Sequence, residues 1–207
     1  MRIGEGFTSP HPRPLGASSQ NFVPSNVTPQ WQMTDEAHTF MFADISGYSR
    51  LTELDGDEAA AEIALLFHAK ASSLAPSHQA EVIKCLGDGV MVHARDAADS
   101  VGLALDLLSE WAQDPSLPPI HIGLHTGPAL ERAHDWWGGT VNIAARVAAA
   151  ADAGQLLLTD ATRVAAGELQ ETRLRALGRL RLKNIPSPVE VYEASRAGAV
   201  SLTAAGC

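Results

Sequence analysis

The chain predicts an α+β fold, a ferredoxin-like sandwich in which helices pack on an antiparallel-rich sheet, and three observations carry that prediction. Short apolar runs rich in β-formers alternate with longer segments of helical period. The first five elements read strand, helix, hairpin, helix, strand, the ferredoxin-like order. Gly87-Asp88-Gly89 lies between two apolar runs and marks a tight hairpin.

The elements follow in order. Residues 1 to about 33 hold five of the twelve prolines, spaced by Gly, Ser, Asn and Gln. No period survives there, so a flexible tail is expected over 1–36. HTFMFADI (38–45) reads as a strand running into Ser46-Gly47, and a helix follows over about 57–73. AEVIKCLGDGVMVHA (80–94) is the hairpin, 96–113 an amphipathic helix, and PIHIGLHTG (119–127) a strand. A loop then leads to a helix over about 139–151. GQLLLTD (154–160) is a strand, 161–167 a short helix, and LQETRLRALGRLRLKN and VEVYEA close the domain with β-structure. The domain is bounded at 37–195, with a fraying tail over 196–207. No internal repeat is visible.

At 207 residues the chain can bury one sizeable core. Its 45% apolar and 19% charged residues are those of a globular protein. A net charge of −9 offers no basic footprint, so nucleic acid and anionic membranes are not expected partners. No apolar run has the length of a transmembrane helix, and nothing in the first thirty residues resembles a signal peptide. Two cysteines, Cys85 and Cys207, make no disulfide framework, so a cytoplasmic protein with reduced thiols is expected.

Several polar residues stand out against this background. Asp44 ends the first strand ahead of Gly47, and Asp88 sits in the hairpin turn. In a ferredoxin-like sheet the first strand lies beside the hairpin, so both carboxylates can converge on one sheet end. They are either plain turn residues or a pair sharing cations, for which magnesium with its hard oxygen ligands is suited. Lys84, four residues before Asp88 in a strand of Val, Ile, Cys and Leu, is either an edge-strand guard or a functional donor. In HDWWGGTVNIAARV (134–147), Asn142 and Arg146 lie one turn apart on an otherwise apolar helix. Asn is a poor helix former and needs a reason to be there, whereas a lone Arg at a helix end is commonly a snorkelling residue.

Five segments, FADISGYSRLTE (42–53), KCLGDGVMV (84–92), HIGLHTG (121–127), DWWGGTVNIAARV (135–147) and LKNIPSPVEVYEA (182–194), resemble in order and spacing the catalytic domain of class III nucleotidyl cyclases. The similarity spans about residues 38–194. It implies a ferredoxin-like core, two-fold dimerisation, and conversion of a nucleoside triphosphate to its 3′,5′-cyclic monophosphate and pyrophosphate. By that resemblance Asp44 and Asp88, with the carbonyl of Ile45, hold two Mg²⁺ or Mn²⁺ ions per active site. Lys84 and Asp135 match the residues that read adenine, which favours ATP. Asn142 orients the ribose, and Arg146 meets charge developing on the phosphate. Lys183 contacts the triphosphate, with Gly47 and Arg132 as further substrate-binding positions.

The metal residues come from one subunit and the base, ribose and phosphate residues from the other, which implies a homodimer with two shared sites. Only PALERAH separates Gly127 from Asp135, shorter than the arm usual in the family. Pyrimidine cyclases of the antiphage-defence kind, which use UTP or CTP, are similarly compact. They and guanylate cyclases stand as alternatives of the same fold, and a non-catalytic cyclase-like module as one of another class. Trp136 and Trp137 are candidates to wall the base pocket, with Trp137 expected to pack in the core beneath the loop.

Overall fold

The structure, a computed structural model, describes residues 33–198. Most of the expected N-terminal tail and nearly all of the C-terminal one lie outside the described residues. The first strand, β1, spans Met33–Ile45 and so begins five residues earlier than expected. Its early part is irregular: the pairing of Met33 with Leu130 is out of register with that of Ala37 and Pro128, and no simple alternation marks it in the sequence.

A helix that the sequence reading lacked, α1 (Tyr48–Asp55), follows, and α2 (Asp57–Leu74) matches the expected one. The hairpin is β2 (Ala80–Leu86) and β3 (Gly89–Ala94), with Gly87 left-handed at the turn. Helix α3 (Ala97–Trp111) starts at Asp96, whose carboxylate accepts from the Ala98 and Asp99 N–H groups as an N-cap. Strand β4 runs Ile120–Arg132, five residues beyond its expected end, and turns back as β5 (Asp135–Trp137). The expected loop is therefore a β-hairpin. Its two turn residues, Ala133 and His134, have φ of 51° and 59°, the left-handed pair that a two-residue hairpin turn demands. Neither is Gly or Asn, so the turn signal was absent from the sequence. Helix α4 (Gly139–Ala148), β6 (Leu156–Thr159), α5 (Asp160–Ala166), β7 (Thr172–Leu180) and β8 (Val189–Arg196) complete the chain.

The strands form one sheet in the order β2-β3-β1-β4-β6-β8-β7, with β5 paired to the far end of β4. Its first four strands make the ferredoxin-like arrangement, and every pairing is antiparallel except β4 with β6. Alternation along β1 sorts the core. Met41, Ala43 and Ile45 face the main cluster with Phe67 of α2 and Leu103 and Leu107 of α3. Phe40 faces the other way, into a second cluster with Met91, Trp136 and Ala144 of α4. Helices thus cover both faces of the sheet, α2 and α3 on one and α4 on the other. Helix α4 lies so close to β4 that a Cβ on Gly123 would stand 2.0 Å from the Ala148 nitrogen. Among the described residues no helix is long and apolar enough to cross a membrane.

Candidate active site

Strand register builds the first part of the site. Asp44 pairs with Gly89 on one side and with His121 on the other. The Ile45 N–H donates to the Asp88 carbonyl at 3.3 Å, which ties the end of β1 to the β2–β3 turn. A Cβ on Gly89 would lie 1.9 Å from an Asp44 carboxylate oxygen, so the side chain of Asp44 occupies the space that only glycine leaves. Burial, then the nearby Asp88 charge, push the Asp44 carboxyl above its ordinary range, and His121 acts against them.

Two acids held together and only weakly compensated form a donor set suited to a hard divalent ion. Among the described residues no group of three or more His, Cys, Asp or Glu is placed to hold a metal ion. An ion here would therefore use two carboxylates and take its other oxygens from backbone, water or phosphate, as magnesium does.

The second part is the face across which the β4–β5 hairpin folds. The β2–β3 register shifts between Val82 and Lys84, a bulge that sets Lys84 opposite Met91. Lys84 Nζ donates to both carboxylate oxygens of Asp135, at 2.7 and 2.6 Å. One of these oxygens also accepts from the Trp136 N–H at 2.8 Å. The Lys84 hydrogen bond, foremost, holds the Asp135 carboxyl below its ordinary range. Lys84 does lie on an edge strand of the sheet, and its ammonium is bonded to a partner 51 residues away.

The two tryptophans exchange the places expected for them. Trp136 is the buried one, 7% exposed and stacked on His93 with centroids 4.4 Å apart. Trp137 is 56% exposed, and Lys84 Nζ lies 5.7 Å from its ring centre. Strand alternation is the reason: Asp135 and Trp137 share the outer face of β5, and Trp136 points into the core.

The third part is α4. Its Ala144, Val147 and Ala148 are buried, whereas Asn142 is exposed and Arg146 half-buried. Lys183 is exposed in the turn between β7 and β8, and its neighbour Leu182 packs with Val147 of α4. Arg132 ends β4 opposite Asp135. Gly47 is left-handed, with φ 76°, and caps α1 without any side-chain bond to the helix. Among the described residues no hydrogen bond or ion pair joins Asn142, Arg146 or Lys183 to Asp44 or Asp88. The chain thus assembles two polar groups: an acidic pair at one sheet end, and the Lys84–Asp135 pair near the β4–β5 hairpin. His121 and Gly89, which flank Asp44 in the sheet, were not among the expected site residues. The only hint of His121 was one polar position among Ile120, Ile122 and Leu124.

Fold and site together define a class of protein: an α+β domain with a carboxylate pair at one sheet end and a Lys84–Asp135 ion pair beside the β4–β5 hairpin. The chain belongs to the adenylate and guanylate cyclase catalytic domain family, whose sequence model matches residues 31–193. An adenylate cyclase of Streptomyces griseus is 32% identical over 63% of the chain and 33% of its own length. A pH-sensitive adenylate cyclase of Mycobacterium tuberculosis is 31% identical over 76% of the chain and 40% of its own. The chain thus spans about two-fifths or less of the length of these curated relatives. Among solved structures, a Trypanosoma brucei adenylate cyclase in its monomeric state superposes with a TM-score of 0.71. That match is 21% identical and covers 79% of this chain and 90% of the other, so it speaks for the fold. The adenylyl cyclase CyaB of P. aeruginosa gives 0.67 at 24% identity, over 79% and 95%.

Proposed function

We propose that the domain is an adenylate cyclase, converting ATP to 3′,5′-cyclic AMP and pyrophosphate at sites shared between two copies of the chain. The observation that carries this reading is the Lys84–Asp135 pair. A donor and an acceptor side by side complement the N1 acceptor and N6 donor of adenine, at the position where the family reads its base. The adenylate cyclases among the relatives support the same choice.

Asp44, Asp88 and the Ile45 carbonyl would hold two Mg²⁺ or Mn²⁺ ions. Bound there, the ions supply acidity to the ribose 3′-hydroxyl and neutralise the departing pyrophosphate. The chain's own residues do the rest. Asn142 orients the ribose so that its 3′-oxygen lies in line with the α-phosphorus and the bridging oxygen that leaves. The 3′-oxygen bonds to the α-phosphorus as the bond to pyrophosphate breaks, and the hydroxyl proton passes to solvent or phosphate. No side chain is needed as a strong base.

Arg146 presents a planar fork to the α-phosphoryl oxygens, where charge develops. Its half-buried position on α4 leaves the guanidinium without an acidic partner among the described residues. Lys183, Arg132 and the uncapped N-terminus of α1 after Gly47 receive the remaining phosphates. A homodimer follows from the family's division of the site, in which each site takes its metal residues from one copy and its base, ribose and phosphate residues from the other. No bond joins Arg146 to Asp44 or Asp88 within the described residues of one chain. A nucleoside triphosphate substrate supports a cytoplasmic location for the domain.

The deciding experiment incubates purified protein with ATP, GTP, CTP or UTP and Mn²⁺, then separates the products. Cyclic AMP from ATP is expected. A different cyclic nucleotide would replace the base assignment, and no cyclic product from any of the four would sink the enzyme reading.

A further inference from the structure

His121 belongs to no role assigned so far, yet it stands at the centre of the acidic end of the sheet. Its Cα pairs with that of Asp44, so both side chains leave the sheet on the same face. Its Nδ1 lies 3.0 Å from the Ser46 hydroxyl, two residues beyond Asp44 on that face. The backbone beneath it is anchored on both sides. The Ile120 carbonyl accepts from the Gly154 N–H at 2.8 Å, and the Ile122 N–H donates to the Gln155 carbonyl at 2.9 Å.

What Ser46 leads into is, by contrast, shallowly packed, with Tyr48 partly buried against the main core. Helix α1 has eight residues, none buried, and no side chain caps its start. The Gly47 turn before it is exposed and left-handed. The Ser46 N–H donates to the Pro119 carbonyl at 2.8 Å, and the imidazole supplies the side-chain tether. An anchored strand thus holds the entry of a helix that meets the core only through partly buried residues such as Tyr48.

We propose that His121 is a positioning residue for triphosphate binding: through Ser46 it holds the Ser46-Gly47 turn and the start of α1 where their N–H groups meet the phosphates. The inference rests on the proposed cyclase reading for the identity of the ligand. It concerns hydrogen-bond geometry, not chemistry at the reacting atoms.

The test is a double-mutant cycle of His121→Ala and Ser46→Ala, read as KM and kcat for ATP with Mn²⁺. Each single variant is expected to raise KM about fivefold, the worth of one hydrogen bond, while kcat stays within about twofold. The double variant should be no worse than either single. His121→Asn, which sets its amide near the place of Nδ1, should recover most of the loss, and His121→Gln should not. Additive effects, an unchanged KM, or equal behaviour of the Asn and Gln variants would each overturn the proposal. Should the alanine variants melt early, the Asn and Gln comparison decides alone. Calorimetric binding of 3′-deoxy-ATP, which cannot cyclise, separates this inference from the function itself. Weaker binding by His121→Ala in a protein that makes no cyclic product keeps the tether and removes the cyclase, whereas no binding by the wild type removes both.

Discussion

The carboxyl of Asp44 is raised by burial and by Asp88, so folding keeps a proton that the unfolded chain would release. Stability from such a group is fully present below the unfolded value and is lost as pH rises through the folded one. At neutral pH without divalent ions the charged pair therefore works against the fold. Asp44→Asn is expected to raise the melting temperature in chelator at pH 7, and to show no further rise with Mn²⁺. The wild type should gain stability from Mn²⁺, because an ion that binds only the folded state shifts the equilibrium. Thermal melts with and without Mn²⁺ check this; a variant that melts below the wild type in chelator would contradict it. The sequence marked Asp44 and Asp88 plainly, since one closes an apolar strand ahead of Ser46-Gly47 and the other sits between Gly87 and Gly89. It did not mark Gly89 as the cradle of Asp44, because a glycine in a turn already has a sufficient local explanation.

At the scale of elements, the β4–β5 hairpin is the part least legible beforehand. PALERAH lacks the Asn-Gly or Gly-Gly pair that announces a two-residue turn, yet Ala133 and His134 both take left-handed backbone. Each such residue with a Cβ costs on the order of 1 kcal/mol. Replacing Ala133 by Asn and His134 by Gly is therefore expected to stabilise the fold by about 1 kcal/mol, since I′ turns favour that pair. Denaturant unfolding measures it, and a loss of stability would show that the turn is held by contacts of these side chains. The arm folds despite its poor turn because its other residues supply the packing. Trp136 reaches between His38, Phe40 and His93, and the strand pairing of Leu130 with Trp137 and Arg132 with Asp135 closes the ladder. This packing also explains the exchange of Trp136 and Trp137. Two adjacent tryptophans differ by one residue of phase, and only the paired strand sets which one faces inward.

On the scale of the whole molecule, the proposed division of site residues between two copies makes the homodimer testable without a structure of it. Asp44→Ala and Arg146→Ala homodimers should each lose about a hundredfold or more in rate, as loss of a preorganised charge or donor does. Mixed and allowed to exchange subunits, they should recover activity, because one of the two sites in the heterodimer carries both wild-type halves. Product formation that stays at the level of the separate variants would place all functional residues within one chain and end the shared-site reading.

The sequence by itself determined the α+β class and the order of the core strands, because hydrophobic period and turn residues are local properties. It also marked Asp44, Asp88, Lys84, Asp135, Asn142 and Arg146, since polar groups in apolar elements stand out wherever the chain goes. Tertiary structure alone decided which of these meet. The bulge between Val82 and Lys84 turns the lysine toward Asp135, and strand register puts His121 beside Asp44. Helix α4 lies on the face opposite α2 and α3, and Gly123 leaves its backbone room to approach β4 there. Register, bulges and close backbone approach are set by contacts between residues far apart in the chain, and a local pattern carries no record of them.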